Sequence, residues 1–320
     1  MTIHKIILDT DPGIDDAMAI FTAMAHPNID LLGLTTTFGN VSVEQATKNA
    51  LKLVEMAGTD TPVARGVATP WFKEPAPFPD FVHGVDGFGN LELDDPASNA
   101  LPISAAEFIV REVNEQPGEI TLVAIGPLGN LAKALQLDPE LHSKVKQVVL
   151  MGGVIASDGN VSPVAEANIL SDPQAADRVF AASWPVVMVG LDVTHQIMIP
   201  RTLFDDIADN NTKVGAFMRD AARFYVDFYS SVRQIEGCYA HDVSALACGV
   251  SPDWFETVEG PVCVATEGVA MGQTIMSRYG IPYPLNYWDD RPSQKACLGV
   301  KSDQVLKFFA DAMMDKSWNS

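Results

Sequence analysis

The sequence predicts an α/β fold, in which helices flank an open and mostly parallel sheet. Short β-branched runs alternate with segments of helical periodicity as far as Arg201, which is typical of βαβ units. Runs such as 120–124 are apolar at successive positions, as expected of strands covered on both faces. No Ser/Gly linker, repeat or low-complexity tract interrupts the pattern. We therefore expect a single Rossmann-like domain over residues 1–320, with a helical C-terminal portion and a site at the carboxyl ends of the strands.

The elements follow one another in a regular order, and each is assigned from its residue pattern. β-Branched or apolar runs predict strands at 5–8, 29–36, 120–124, 147–151 and 186–191. Apolar residues spaced three and four apart predict helices at 17–25, 43–56, 104–113, 128–135 and 173–182. Pro12-Gly13 marks the turn after the first strand. Beyond Arg201 we expect a long helix at 214–232, followed by a strand pair at 258–266 and 272–277.

The balance of charge limits the classes of partner. The chain has 21 Lys and Arg against 41 Asp and Glu, a formal net charge of −20. Such a field repels phosphate backbones, so we expect no nucleic-acid partner. No apolar stretch approaches the ~18 residues of a membrane span, so we expect no membrane partner either. Four cysteines without C-x-x-C spacing and an N-terminus without a signal-peptide pattern predict a cytoplasmic protein.

Four acids crowd the carboxyl end of the first predicted strand. Asp9, Asp11, Asp15 and Asp16 lie within eight residues, at the edge where open α/β sheets bind ligands. Carboxylates packed together repel one another, and burial would neutralise them unless a cation were present. Ligands that are all oxygen suit Ca²⁺ or Mg²⁺. The alternative is a solvated acidic turn in which Asp15 caps the following helix, but a cap needs only one acid.

This acidic segment resembles the signature of the inosine–uridine-preferring nucleoside hydrolase family. Five further motifs resemble that family in the same order along the chain. They are Thr35-Thr36-Thr37-Phe38-Gly39-Asn40, His83-Gly84-Val85-Asp86-Gly87, Ile125-Gly126-Pro127-Leu128-Gly129-Asn130, Met151-Gly152-Gly153 with Ala165-Glu166-Ala167-Asn168, and His241-Asp242. One motif alone would be weak, but six in order over residues 9–242 are specific.

The resemblance implies one Ca²⁺ per subunit. Its ligands would be the carboxylates of Asp11, Asp16 and Asp242 and the backbone carbonyl of Ile125. Calcium takes six to eight oxygens, which leaves positions for a water and two ribose hydroxyls. Because a carbonyl ligand is independent of the side chain, isoleucine is acceptable there. Taken alone, Asp242 would be read as an acid that stabilises a helix N-terminus.

The resemblance also implies a ribose-binding set and a reaction. The set is Asp15, Asn40, Asn160, Glu166 and Asn168. Cleavage of the bond between ribose and base passes through an oxocarbenium-like state, as in glycoside hydrolysis. By resemblance, Asp11 takes a proton from the attacking water. His241 protonates the departing base, and His83 binds the substrate and assists His241. Histidine suits the role of acid because it titrates near neutral pH.

Two features bear on the choice of base. Having both His83 and His241 resembles family members that act on pyrimidine nucleosides or on both base types. Where members commonly have an aromatic residue before Asn168, this chain has Ala167, which suggests a wider pocket or one filled from elsewhere. Tyr225, Tyr229 and Trp288 are candidates for an aromatic wall. The two tyrosines, spaced i to i+4, are equally consistent with a helix face packed in the core.

Alternative functions predict different features. A haloacid-dehalogenase-like phosphatase also begins with strand–Asp-x-Asp, but it needs Thr or Val where this chain has Gly13. A nicotinamide dehydrogenase would need a G-x-G-x-x-G after a strand, which the sequence lacks. A non-catalytic nucleoside- or ribose-binding protein on the same fold stays open. The favoured function is calcium-dependent hydrolysis of ribonucleosides for nucleoside salvage, by a homodimer or homotetramer if the resemblance extends to assembly.

Overall fold

The central feature is one nine-stranded sheet, which confirms the predicted fold class. A computed structural model describes residues 2–210, 213–278, 280–285, 287–315 and 318. Its strands are β1 (His4–Thr10), β2 (Ile29–Thr36), β3 (Val63–Arg65), β4 (Ile120–Ala124), β5 (Gln147–Met151), β6 (Val186–Val189), β7 (Met198–Pro200), β8 (Gly237–Tyr239), β9 (Phe255–Val264), β10 (Thr274–Met276) and β11 (Ser293–Val300). The order in the sheet is β10-β9-β11-β6-β5-β4-β1-β2-β3, and β7 and β8 form a separate pair.

Helices cover both faces of the sheet. They are α1 (Ile14–Ala25), α2 (Val43–Ala57), α3 (Asp80–His83), α4 (Ala105–Glu115), α5 (Gly129–Leu137), α6 (Ala167–Ser171), α7 (Pro173–Ala181), α8 (Leu191–Thr194), α9 (Arg201–Asn210), α10 (Val214–Arg233), α11 (His241–Val250) and α12 (Ser302–Met313). One core packs α1, α10, α11 and α12 on the sheet, and the other packs α4, α5 and α7 on the opposite face. Among the described helices, none is long and apolar enough to span a bilayer.

Strand direction brings the acidic segment into the middle of the sheet. From β3 through β6, each adjacent pair is parallel. Asp9 lies opposite Thr35 of β2 and Ala124 of β4, so the carboxyl ends of these three strands lie at one level. The segments that follow them all begin at this edge. Parallel strands thus gather motifs that are more than a hundred residues apart in sequence.

The predicted elements are confirmed, with small changes at their ends. The strand predicted at 186–191 ends at Val189, because Gly190 and Leu191 already begin α8. The strand pair predicted at 258–266 and 272–277 is the antiparallel pair β9–β10. The helical C-terminal portion is present as α9 to α12. This portion also contributes β9, β10 and β11 to the main sheet. β11 lies parallel to β6 and antiparallel to β9.

Candidate active site

Asp16 organises the turn that follows β1. Its carboxylate accepts hydrogen bonds from the Thr10 hydroxyl at 2.5 Å and the Gly13 amide at 3.0 Å. The side-chain amide of Asn40 donates to it at 2.9 Å. A side chain at Gly13 would have no room, because a Cβ there would lie 2.7 Å from His83 Nδ1. Gly13 therefore lets the backbone approach both the histidine and Asn40, and the bonds to Asp16 define the start of α1.

Asp11 sits in a close-fitting pocket at the same edge. Its Oδ2 accepts a hydrogen bond from the Asn40 backbone amide at 2.6 Å, while its Oδ1 is buried and has no hydrogen-bond partner among the described residues. Gly39 and Gly126 press against its two oxygens. The Asp11 side chain is therefore fixed in position, and its Oδ1 is available to a ligand.

The remaining acids complete a buried anionic cluster. Carboxylate oxygens of Asp15, Asp16 and Asp242 lie within 4.8 Å of one another, and all three residues are buried. Burial raises the pKa of Asp11 and of Asp242 well above the ordinary value, and neighbouring carboxylates raise both further. Burial raises the pKa of Asp15 and of Asp16 to about 6. In the described structure, Asp15 Oδ1 has no partner.

This cluster fits a hard cation. Buried oxygens of Asp11 and Asp15 have no hydrogen-bond partner among the described residues. Burial and mutual repulsion also disfavour the anionic form of the clustered carboxyl groups, and a bound cation would stabilise that form. The donors are all oxygens. The group of carboxylates within 4.8 Å contains Asp15, for which the family resemblance implies a role in binding ribose. Asp11 lies beside this group, and its backbone amide donates a hydrogen bond to Asp16 Oδ1.

Residues 160–168 form another segment of the site, at the carboxyl ends of β4 and β5. The Asn168 side-chain amide donates to the carbonyls of Ile125 at 2.8 Å and Met151 at 3.2 Å. Glu166 caps α6, accepting from the amides of Asn168, Ile169 and Gly153 at 2.9 to 3.1 Å. Asn160 accepts a hydrogen bond from the Ala167 amide at 3.1 Å. The structure therefore brings together Asn160, Glu166, Asn168 and the Ile125 carbonyl, and it gives Glu166 a capping role that sequence reasoning missed.

His83 is buried beside the acids. Its Nδ1 accepts a hydrogen bond from the Ile14 amide at 3.2 Å, so the proton of the neutral ring lies on Nε2. Burial lowers its pKa to about 4. The 3.8 Å separation between Nδ1 and Asp15 Oδ1 is too long for a hydrogen bond. His83 also stacks on Tyr225, with ring centroids 5.2 Å apart. The lowered pKa favours the neutral form of this imidazole.

His241 is held at both ring nitrogens. Its Nε2 lies 2.8 Å from the Tyr229 hydroxyl, and its Nδ1 lies 2.8 Å from the Thr194 hydroxyl. Burial lowers the pKa of the imidazole well below its ordinary value. His241 begins α11 directly before Asp242, so one helix start delivers both side chains to the cluster.

The tyrosines are core residues whose hydroxyls reach the site. Tyr225 donates to Asp15 Oδ2 at 3.0 Å, and its hydroxyl lies 3.4 Å from that of Tyr229. Both rings are buried, so the tyrosines can pack in the core and still present their hydroxyls to the site.

Trp288 instead lines a separate cavity of about 350 Å³ beside β9, and none of the predicted site residues lines that cavity. Sequence reasoning missed Thr194, for which the sequence carries no signal.

We predict that Gly39→Ala will severely impair the site. The added Cβ would overlap Asp11 Oδ2, and the Asp11 carboxyl group would collide with its neighbours if it moved away. We expect a loss of turnover of at least about 10²-fold, the scale of a 1 Å misplacement. The matched control is Gly249→Ala in α11, where the new Cβ meets atoms only at 3.5 Å or more. Equal activity of the two variants in a base-release assay would contradict this account of Asp11.

Comparisons with known proteins identify the family of the chain. Residues 6–307 match the family model of the inosine-uridine preferring nucleoside hydrolases. A probable uridine nucleosidase 2 from Arabidopsis thaliana is 42% identical over 314 residues, covering 97% of this chain and 98% of the relative. A plant nucleoside hydrolase structure superposes with a TM-score of 0.92 at 36% identity, covering 97% and 99% of the two chains. A purine-preferring ribonucleoside hydrolase from Gardnerella vaginalis gives a TM-score of 0.91 at 33% identity, covering 99% and 100%. The chain therefore belongs to the inosine-uridine preferring nucleoside hydrolase family, whose members are N-ribosyl hydrolases acting on nucleosides.

Proposed function

We propose that this protein hydrolyses the N-glycosidic bond of ribonucleosides in a calcium-dependent reaction and releases free base and ribose. The observation that carries the proposal is the buried cluster of Asp11, Asp15, Asp16 and Asp242, in which oxygens of Asp11 and Asp15 have no hydrogen-bond partner among the described residues. The hydroxyls of Tyr225 and Tyr229 link this cluster to the buried imidazole of His241. A phosphatase has no support from the family match. The rest of the proposal assigns roles to these residues.

The cation would be held by the carboxylates of Asp11, Asp16 and Asp242 and by the Ile125 carbonyl. The Ile125 oxygen already accepts one hydrogen bond from Asn168, and a carbonyl has a second lone pair. When bound, the ion would offset the clustered negative charge and lower the pKa of a coordinated water. Calcium is favoured over magnesium because it accepts more oxygens in a less regular geometry.

Asp11 is the proposed general base. Its Oδ1 is the carboxylate oxygen without a partner, and the Asn40 amide holds the other oxygen in place. A proton acceptor must lie within hydrogen-bond reach of the water that it activates, and a fixed carboxylate with one free oxygen meets that need. The neighbouring carboxylates also stabilise positive charge that develops on the ribose ring.

Ribose would be held by Asp15, Asn40, Asn160, Glu166 and Asn168, and His83 would contact the substrate beside them. Asp15 offers a free Oδ1, and the two nearby amide side chains of Asn40 and Asn168 can exchange part of their present bonding for ribose hydroxyls. His83, neutral and with its Nδ1 taken by the Ile14 amide, is a donor through Nε2. These groups supply both donors and acceptors for a vicinal diol.

His241 is the proposed acid for the departing base. Burial lowers the pKa of its imidazole well below the ordinary value, so this role requires that substrate binding favour the protonated ring. The preference for pyrimidine nucleosides, or for no particular base, is what the resemblance implies for a chain with both histidines. The match to a protein named as a probable uridine nucleosidase supports it. The purine-preferring relative has nearly the same fold at lower identity, so the backbone alone does not decide the base. Ala167, which is partly exposed in α6, stands where members of the family commonly have an aromatic side chain, and we propose that the pocket is wider there or filled from elsewhere.

The deciding experiment is base release from uridine, cytidine, inosine and adenosine, with calcium and after exhaustive chelation. We expect free base and ribose without phosphate, with uridine or cytidine at least as fast as the purine nucleosides. Faster purine nucleosides would overturn the proposed preference but not the chemistry. No release from any of the four would favour the alternative, a non-catalytic nucleoside-binding protein, which a titration with uridine would then detect.

Calcium removal should destabilise the folded protein in a pH-dependent way. Asp15 and Asp16 have folded pKa values near 6, so without metal the folded state binds more protons than the unfolded chain between about pH 4 and 6. The stability of the metal-free protein should therefore fall as pH rises through that window. Calcium should stabilise by about 2.7 kcal/mol at a hundredfold excess over its Kd. At one fixed calcium concentration its stabilisation should be larger at pH 7 than at pH 5, because protons compete with the cation for the carboxylates. Melting curves with calcium and with chelator, at both pH values, test this; curves that chelation does not shift would count against the site.

The remaining proposals concern the setting of the reaction. We propose a cytoplasmic enzyme of nucleoside salvage that assembles as a homodimer or homotetramer. Light scattering should then give two or four times the mass of one chain, and a single-chain mass at working concentration would contradict the assembly. These proposals follow from the composition and the family resemblance.

A further inference from the structure

We infer that Thr194 is a positioning residue for the leaving-group acid, because its hydroxyl fixes the ring of His241. This inference rests on the proposed function, since it assumes that His241 serves the departing base. It concerns a residue on α8 that lies outside every sequence motif of the site. Thr194 does not touch substrate; it acts through the histidine.

The bonding of the Thr194 hydroxyl is unusual for a buried helical threonine. Thr22 in α1 and Thr47 in α2 are also buried, and each donates to the carbonyl four residues earlier, at 2.6 Å in both cases. Thr194 is fully buried, and its hydroxyl makes one hydrogen bond in the described structure, to His241 Nδ1 at 2.8 Å. The hydroxyl is thus directed at the histidine instead of at its own helix.

The ring of His241 is held from three elements. His241 itself begins α11, Thr194 contacts Nδ1 from α8, and Tyr229 contacts Nε2 from α10. The Nε2 edge faces Tyr229, whose hydroxyl is close to that of Tyr225, which in turn donates to Asp15. The Nδ1 edge faces away from these groups, toward α8. A half-turn of the ring would break both hydrogen bonds and leave buried polar atoms unpaired, which is costly.

The support under Thr194 is itself rigid. α8 begins directly after β6, and Asp192 on the same turn accepts hydrogen bonds from the amides of Ile155 and Ala156, each at 2.8 Å. The hydroxyl is therefore fixed before substrate arrives, as positioning of a catalytic side chain requires. Thr194 therefore keeps the Nε2 edge of His241 directed toward Tyr229 and, beyond it, the acidic cluster, where we propose that the base departs.

The test compares substrates with poor and good leaving groups. Thr194→Val keeps the side-chain volume and removes the hydroxyl. We expect kcat on the fastest natural nucleoside to fall about 10- to 100-fold, the scale of a misplaced catalytic group. Hydrolysis of nitrophenyl riboside, which needs no acid, should change by less than about threefold. This second substrate also reports that the variant is folded. Thr194→Ser should restore most of the loss, and Thr22→Val is the matched control, which should affect both substrates equally.

Two further variants separate the inference from the proposed function. In a His241→Ala background, Thr194→Val should add no further loss on the natural nucleoside, because its effect passes through the histidine. A further loss in the double variant would overturn the role of Thr194 and leave that of His241 intact. The same conclusion would follow if Thr194→Val slowed both substrates equally while His241→Ala slowed only the natural nucleoside. If His241→Ala itself slows both substrates equally, the acid assignment fails and the inference falls with it.

Discussion

Replacing Asp11 with alanine should reduce turnover of every nucleoside by at least about 10³-fold, within the span reported for loss of a general base. The variant loses the proposed proton acceptor and a proposed metal ligand together. Base release measures the first loss, and a calcium titration followed by thermal melting measures the second. Asp30→Ala, at an exposed position of β2, is the control and should behave as the parent protein.

Asp11→Asn separates the two roles of this residue. The amide has the same shape, so the hydrogen bond from the Asn40 backbone can persist, but it cannot take a proton. We expect a turnover loss similar to that of alanine with better retention of the fold. Parent-like turnover in either variant would remove Asp11 from the mechanism.

Replacing His241 with alanine should slow natural nucleosides by about 10²- to 10⁴-fold, the usual span of general acid catalysis. A base departs as a poor leaving group unless it is protonated, whereas nitrophenolate departs without help. Nitrophenyl riboside should therefore lose far less activity. The measurement is the ratio of the two kcat values, for the parent and for the variant.

The control for this prediction is His142→Ala, which changes a partly exposed histidine on the turn 141–143. It should leave both substrates unaffected. A His241→Ala variant that loses equally on both substrates would show that the histidine holds the pocket together without serving the leaving group.

The sequence is sufficient to predict the parallel strands at the centre of the sheet and the acids at their carboxyl ends. The strands that carry the site are continuous apolar runs, and parallel strands place their carboxyl ends together. That rule brings the Ile125 carbonyl close to the turn after β1, because β1 and β4 are neighbours. Asp242, in contrast, was assigned only through the family resemblance, since an acid at a helix start has an ordinary structural explanation.

Other features depend on tertiary packing that no local pattern encodes. Tyr225 lies 210 residues from the Asp15 to which it donates, and Thr194 lies 47 residues from His241. β3 has only three residues, too few for a periodicity to appear. β11 alternates between buried and exposed positions and includes Ser293, Gln294 and Lys295, so it does not resemble the buried parallel strands before it.

The position of α11 also determines when the site can form during synthesis. β1 emerges first and carries Asp9, and Asp11, Asp15 and Asp16 follow within a few residues. The last acid of the buried cluster, Asp242, arrives only with α11, which packs between α1 and β5, and the sheet is completed later still by β11. Contacts this distant in sequence form slowly. A nascent chain of this enzyme must therefore carry most of its anionic cluster without Asp242 until three quarters of it has been translated. If the cation is held as proposed, its capture is a late event in the maturation of the protein.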